Sequence, residues 1–96
     1  MDVLVTGGAG FIGAKLCRKL LREGSLRTPE GLKEISRITV LDQAPSDLTD
    51  DPRLTSVIGS AHSAEDLRGA LTPQTEVIFH LAAVVSMAAE RDFDLG

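Results

Sequence analysis

Val3-Leu4-Val5-Thr6-Gly7-Gly8-Ala9-Gly10-Phe11-Ile12-Gly13 stands at the start of the chain. It reads as a buried-type strand that passes through a glycine turn into an amphipathic helix. Gly8, Gly10 and Gly13 fit the spacing G-x-G-x-x-G, and Gly7, Gly10 and Gly13 fit the related G-x-x-G-x-x-G. The first glycines permit backbone angles that a side chain forbids, so the strand can turn tightly. Gly10, lacking a Cβ, lets a pyrophosphate approach the backbone, and Gly13 lets the helix lie close to the sheet. The anion then meets unpaired N–H groups at the positive end of the helix. A glycine triplet alone marks only a flexible loop. A strand before it and a helix after it make this one a dinucleotide site.

Working outward, Asp2 to Thr6 forms the first strand, apolar enough to be covered on both faces. The helix runs from about Gly10 to Glu23. Ile12, Leu16 and Leu20 form its apolar stripe, Cys17 and Leu21 widen it, and Gly24 ends it. Ser25 to Arg37 is longer than a compact strand–helix–strand unit needs, and reads as a surface excursion without chemistry. Within it, Thr28-Pro29-Glu30 resembles a cap followed by a first-turn proline, which suits a short helical turn.

Ile38 to Leu41 is the second strand, closed by Asp42, and Leu54 to Ile58 the third, after a polar loop over residues 43–52. Ser63-Ala64-Glu65-Asp66 has the form of a capping box opening a helix through Leu71, with Leu67, Ala70 and Leu71 inward. Val77 to Leu81 is the fourth strand, Ala82-Ala83 a small-residue turn, and a last helix starts near Ala88. This alternation predicts an α/β fold, the N-terminal half of a doubly wound Rossmann sheet. The strands are parallel in the order 3-2-1-4, with helices on both faces.

The 96 residues make at most one small domain. With 43% hydrophobic and 25% charged residues the chain is an ordinary globular one. Its net charge of −4 argues against a nucleic-acid partner. Cys17 is the single cysteine, which excludes an internal disulfide and a thiolate metal cluster, and no metal site is expected. No apolar run is long enough to span a bilayer, and no basic stretch precedes the first strand. A cytoplasmic location without a membrane partner is the expectation.

Asp42 closes the second strand, where the dinucleotide pattern wants a carboxylate on the adenosine ribose hydroxyls. It lies farther beyond Gly13 than the usual roughly 20 residues, and the 25–37 excursion accounts for the excess. The same carboxylate would repel a 2′-phosphate, which favours NAD over NADP. The competing reading of Asp42 is a solvated acid at a strand end. Ala82 and Ala83 stand where the strand order reverses and a ligand can lie against the backbone, or they simply pack helix on sheet. His80 ends an apolar strand with no second metal-type residue at ligand spacing and reads as a hydrogen-bonded core residue. His62 falls in a polar, exposed loop.

Residues 6–13, Asp42 and Phe79-His80-Leu81-Ala82-Ala83 together resemble the N-terminal part of extended short-chain dehydrogenases/reductases, the group of nucleotide-sugar epimerases and dehydratases. His80 to Ser86 with Ala89-Glu90 and residues 92–96 is similar to a subgroup that oxidises D-erythronate-like sugar acids, although Met87 stands where that subgroup has glycine. The resemblance implies NAD as cofactor. It further implies that Gly7, Gly10 and Gly13 form the pyrophosphate turn, with Phe11 and Ile12 donating backbone N–H groups. Asp42 would hold the ribose, and Leu81, Ala82, Ala83 and Val85 would line the path to the nicotinamide.

Where the group usually has Gly-Asp after the third strand, with a carboxylate on the adenine amino group, this chain has Gly59-Ser60. A hydroxyl is a weaker, neutral acceptor, so a looser hold on adenine is expected. The resemblance also implies a proton-abstracting tyrosine with a lysine four residues on. The sequence contains no tyrosine, and its lysines are Lys15, Lys19 and Lys33. The expectation is therefore a partial NAD-binding domain over residues 1–96, an N-terminal fragment without catalytic residues, taken from a sugar-acid oxidoreductase or, as alternatives, from a nucleotide-sugar epimerase/dehydratase or a non-catalytic dinucleotide-binding sensor on the same fold. Its small-molecule substrate would bind through a C-terminal region outside these residues. An unpaired fourth strand would then favour association into a homo-oligomer.

Overall fold

Two apolar runs, 3–5 and 38–41, lie side by side as the centre of a parallel sheet. The computed structural model describes residues 1–48 and 50–81. Along the chain these form β1 (Asp2–Thr6), α1 (Phe11–Glu23), β2 (Ser25–Thr28), β3 (Gly31–Glu34), β4 (Arg37–Asp42), β5 (Leu54–Ile58), α2 (Ala64–Ala70) and β6 (Thr75–His80). Four strands make one sheet in the order β5-β4-β1-β6, parallel throughout. With the four sheet strands numbered among themselves this is 3-2-1-4. The labels become 5-4-1-6 because two further strands, β2 and β3, precede the second strand of the sheet.

The alternation of side chains along a strand sends neighbours to opposite faces, and both faces of the two central strands are covered. Val3 and Val5 of β1 and Ile38 and Val40 of β4 pack with Cys17 and Leu20 of α1 and with Ile35. Leu4 and Leu41 point the other way and meet Ala70 of α2. Burial pushes the Cys17 thiol up to about 11, so it sits in the core as a neutral small residue.

The inward stripe of α1 differs from the expected one at its first turn. Gly13, Cys17 and Leu20 are buried, whereas Ile12 is 62% exposed. At that level the helix rests on the glycine turn itself, and Gly13 takes the inward position. Gly24 ends α1 as expected: its φ is 72° and its N–H donates to the Leu20 carbonyl at 2.8 Å.

Residues 25–34 form no helical turn. They fold as an antiparallel hairpin, β2 on β3, with Ser25 opposite Glu34 and Thr28 opposite Gly31. Thr28 Oγ1 accepts from the Glu30 N–H at 3.2 Å and donates to the Gly31 carbonyl at 2.8 Å. The capping hydroxyl thus closes a reverse turn, and Gly31, at φ 113°, lets the chain return. The hairpin sits near the N-terminal end of β1, since Met1 donates to the Glu34 carbonyl and accepts from the Ser36 N–H. Ile35, fully buried, anchors it with about 2–3 kcal/mol of apolar burial. The Lys33–Glu76 ion pair that ties the hairpin to β6 is open to solvent and screened.

Two further expectations need adjustment. Ser63 caps α2, its hydroxyl accepting from the Asp66 N–H at 3.1 Å. The reciprocal arm of the box is missing, because the Asp66 carboxylate accepts from the Ser60 N–H at 2.8 Å instead. Leu71 does not face inward: it is the extended C-cap of α2 and 41% exposed, while Leu67 and Ala70 pack on the sheet. The expected helix near Ala88 lies outside the described residues. No described helix is long and apolar enough to cross a membrane.

Arg53, at the edge of β5, joins the sheet to α1. It donates to the Leu21 carbonyl at 2.8 Å and to both oxygens of Asp51 at 3.0 and 2.8 Å. These bonds hold the Asp51 carboxyl down at about 2, against an ordinary 3.8. A depressed carboxyl stabilises the folded state above its unfolded value and ceases to do so as pH falls through the folded one. Arg53→Ala is therefore expected to flatten the loss of stability between pH 4 and pH 2 in acid titrations followed by circular dichroism. An unchanged acid limb would remove the pair from the account of stability.

A second test concerns packing at the turn. A Cβ on Gly13 would lie 2.4 Å from Gly8 Cα and 2.5 Å from the Gly7 oxygen, both backbone atoms. Gly13→Ala is expected to cost about 1–3 kcal/mol, overriding the roughly 1 kcal/mol that alanine gains in a helix. At Gly69 of α2 a Cβ meets nothing within 4 Å. Gly69→Ala is expected to be neutral or to stabilise by about 0.5 kcal/mol in urea titrations. A Gly13→Ala protein as stable as the parent would contradict the contact.

Candidate functional site

Parallel strands all end on the same side, and here β1 and β4 bring Thr6 and Asp42 to one edge, with the loop that follows β5 beside them. At the end of β1, Gly7 has φ 74°, a conformation that a side chain strains, and its N–H donates to the Leu41 carbonyl at 2.9 Å. Gly8 turns at an ordinary angle and is glycine for a different reason. A Cβ there would come 2.8 Å from Val40 Cγ1 and 3.1 Å from Val5 Cγ1. The close approach to the sheet expected of Gly13 is thus made by Gly8, and Gly13 packs on the turn.

Gly10, the N-cap of α1, has φ −74° and ψ 177°, angles open to any residue. A Cβ on it would find nothing nearer than the Gly7 oxygen at 3.7 Å, an ordinary contact. Nothing within the chain demands glycine at this position. The space above it is what a ligand lying against the backbone requires.

The first amides of a helix have no carbonyl four residues back. Gly10 provides no capping side chain, and no acid stands in the first turn of α1. Phe11 and Ile12 hold their side chains outward, Phe11 80% exposed. The Lys15 ammonium lies over the Phe11 ring, 5.3 Å from its centre. Helix end and ammonium together make this corner attractive to an anion.

Asp42, at the end of β4, faces the same corner. Its Oδ2 accepts from the Ala9 N–H at 3.1 Å, which ties the second strand to the glycine turn. Its Oδ1 accepts from the Gln43 N–H at 2.6 Å and the Ala44 N–H at 3.4 Å. Two carboxylate oxygens offer about four acceptor positions; three are taken here, which leaves one for a ligand hydroxyl and a second if the long 3.4 Å bond from Ala44 gives way.

A groove of about 100 Å³ opens beside this carboxylate, lined by Gly7, Leu41, Asp42, Gln43, Gly59, Ser60, Ala61 and His62. Its far wall is the loop from β5 to α2. That loop is held by the Ser60 N–H on Asp66, the His62 N–H on Ser60 Oγ at 3.1 Å and the Ser63 N–H on the Ser60 carbonyl at 3.1 Å. The groove is too small for a whole dinucleotide, since pockets for drug-sized ligands run about 300–1,000 Å³. It suits one flat end of such a ligand.

Of the residues singled out in the sequence, Gly7, Gly10, Phe11, Ile12, Gly13, Asp42 and Ser60 gather at this edge. Leu81 follows β6, half-buried against the α1-side core. Ala82, Ala83 and Val85 lie outside the described residues. His80 is not a core residue: it is exposed, but its Nδ1 is hydrogen-bonded to the buried Thr6 Oγ1 at 2.8 Å. Gln43, His62 and the positioning role of Asp66 were not identified in the sequence. The spacing of Ser63 to Asp66 marked only a helix start, and nothing local indicates that Asp66 reaches back to Ser60.

The sequence pattern of the NAD dependent epimerase/dehydratase family matches residues 3–93. D-erythronate dehydrogenase of Cupriavidus necator is 47% identical over the whole chain, which spans 30% of that protein. D-erythronate dehydrogenase of Haemophilus influenzae is 35% identical over the whole chain, which spans 29% of it. A 3-beta-hydroxysteroid dehydrogenase of Mycolicibacterium neoaurum is 36% identical over 88% of the chain and 20% of its own length. The chain thus covers less than a third of the relatives it matches. In fold it is similar to the Bordetella bronchiseptica enzyme WbmF, solved in complex with NAD+ and UDP. The TM-score is 0.60 at 24% identity, over 82% of this chain and 22% of that one. A parallel sheet with the glycine turn at the end of its first strand, matched by the family's pattern over residues 3–93, places this chain in the NAD dependent epimerase/dehydratase family.

Proposed function

We propose that the chain is the NAD-binding part of an oxidoreductase that oxidises a hydroxyl of a D-erythronate-like sugar acid to a ketone. The observation that carries the reading is the Ala9–Asp42 bond. It sets a diol-binding carboxylate beside an anion-attracting turn, the two polar ends of an adenosine diphosphate moiety. In the proposed complex the pyrophosphate lies over Gly10 and takes N–H groups from Phe11 and Ile12. Asp42 accepts from the ribose hydroxyls, and the base enters the groove at Ser60. On the family resemblance, Leu81, Ala82, Ala83 and Val85 would line the way to the nicotinamide. When bound, the nicotinamide accepts the hydride from the substrate's carbinol carbon.

The sugar-acid substrate rests on the similarity to the two D-erythronate dehydrogenases. A nucleotide-sugar substrate is the second reading, favoured by 35% identity over 86% of the chain to a dTDP-glucose 4,6-dehydratase of Streptomyces antibioticus. Both readings leave the hydroxyl proton to a base outside these 96 residues, which contain no tyrosine. β6 pairs only with β1 among the described residues. That open edge supports the expectation of a homo-oligomer.

Calorimetric titration with NAD, beside an assay of NADH formation from D-erythronate, tests the two halves of the reading. The 96-residue chain is expected to bind NAD and to show no turnover. General acid–base help alone is worth about 10²–10⁴-fold. Absence of NAD binding would overturn the cofactor assignment, and turnover would require a base among the residues present.

Asp42 allows a sharper test. In Asp42→Ala the ratio of NAD to NADP affinity is expected to fall by about tenfold or more, through lost charge-assisted bonds to the ribose and lost repulsion of the 2′-phosphate. Both affinities should also weaken, because the Ala9 N–H loses its partner. An unchanged ratio would show that Asp42 only braces the turn.

A further inference from the structure

We propose that the base end of this site does not distinguish a 6-amino from a 6-oxo purine, and that Ser60 is the residue responsible. The inference rests on the dinucleotide reading above and concerns the groove walled by β4 and the loop from β5 to α2.

The side chains lining the groove fall into two chemical sets. Asp42 accepts only, and its oxygens already take the N–H groups of Ala9, Gln43 and Ala44. Gln43 and Ser60 carry groups that both donate and accept, and His62 adds an imidazole. The other carboxylate near the loop, Asp66, is not part of the groove lining, and its Oδ2 is engaged by the Ser60 N–H. Ser60 Oγ accepts from the His62 N–H at 3.1 Å. That bond uses one lone pair and leaves the hydroxyl with its proton and a second lone pair.

Adenine presents a donor at its 6-amino group and an acceptor at N1. Hypoxanthine presents the inverse, an acceptor at O6 and a donor at N1. An acceptor-only wall selects adenine. A hydroxyl meets either pattern by rotating its proton. Strong rejection of an analogue requires a buried group left without its partner. None of Gln43, Ser60 and His62 is buried.

The test compares NAD with nicotinamide hypoxanthine dinucleotide by calorimetric titration of the protein. The two dissociation constants are expected to agree within about threefold. Ser60→Asp, which supplies an acceptor-only group, is expected to favour NAD by about tenfold or more. Ser60→Ala is expected to weaken both dinucleotides equally, and it serves if the aspartate variant fails to fold. A parent protein that prefers NAD by more than tenfold, an unchanged ratio in a folded Ser60→Asp, or an unequal loss in Ser60→Ala would overturn the proposal while leaving NAD binding intact. Binding of neither dinucleotide would overturn the dinucleotide reading itself, and this inference with it.

Discussion

Between Gly13 and the Gly7–Gly8 backbone there is no room for one more carbon atom, and most of the architecture follows from that contact. It brings the first turn of α1 directly onto the end of β1, so that the helix axis starts where the strand stops. Gly8 in turn lies against Val5 and Val40, which presses the turn onto the two central strands. With helix, turn and sheet this close, the α1 amides open toward the same edge at which β4 delivers Asp42. A side chain at either glycine would lift the helix and separate the two polar halves of the site.

The two ends of the sheet consequently do different work. At the C-terminal ends of the strands the chain gathers the glycine turn, Asp42 and the loop of Ser60 to His62. Around the N-terminal end of β1 it gathers structural ties: the hairpin β2–β3, the buried Ile35, the bonds of Met1 and the bond of Thr72 to the buried Asp2 at 2.6 Å. The long excursion between α1 and β4 therefore adds bulk away from the site. It lengthens the sequence between Gly13 and Asp42 without changing where Asp42 arrives, which is set by its parallel register with β1.

What could be read from the sequence was what local chemistry determines. β1, β5 and the Gly24 cap came out at their boundaries because apolar runs and a left-handed glycine have one outcome. Thr28-Pro29-Glu30 was ambiguous, since a capping hydroxyl before proline begins a helix or a reverse turn equally well. Only the pairing of Ser25 to Thr28 with Gly31 to Glu34 decides between them. Ile12 misled because periodicity assumes a flat neighbour, and α1 begins on a turn of glycines. The groove was half legible: Asp42 closes β4 and Ser60 follows β5 by two residues, but that Ser60 and His62 face Asp42 and Gln43, with Asp66 of α2 holding the loop, depends on how the β5–α2 loop folds beside β4. That contact joins residues distant in sequence, and no local pattern marks it.

The most direct test of the central claim is amide NMR of the ¹⁵N-labelled protein titrated with NAD. Shift changes are expected at residues 7–13, at Asp42 and Gln43 and over residues 59–62, with the hairpin at residues 25–34 unmoved. Changes concentrated in the hairpin, or none at saturating NAD, would contradict a dinucleotide site built on the contact between Gly13 and the glycine turn.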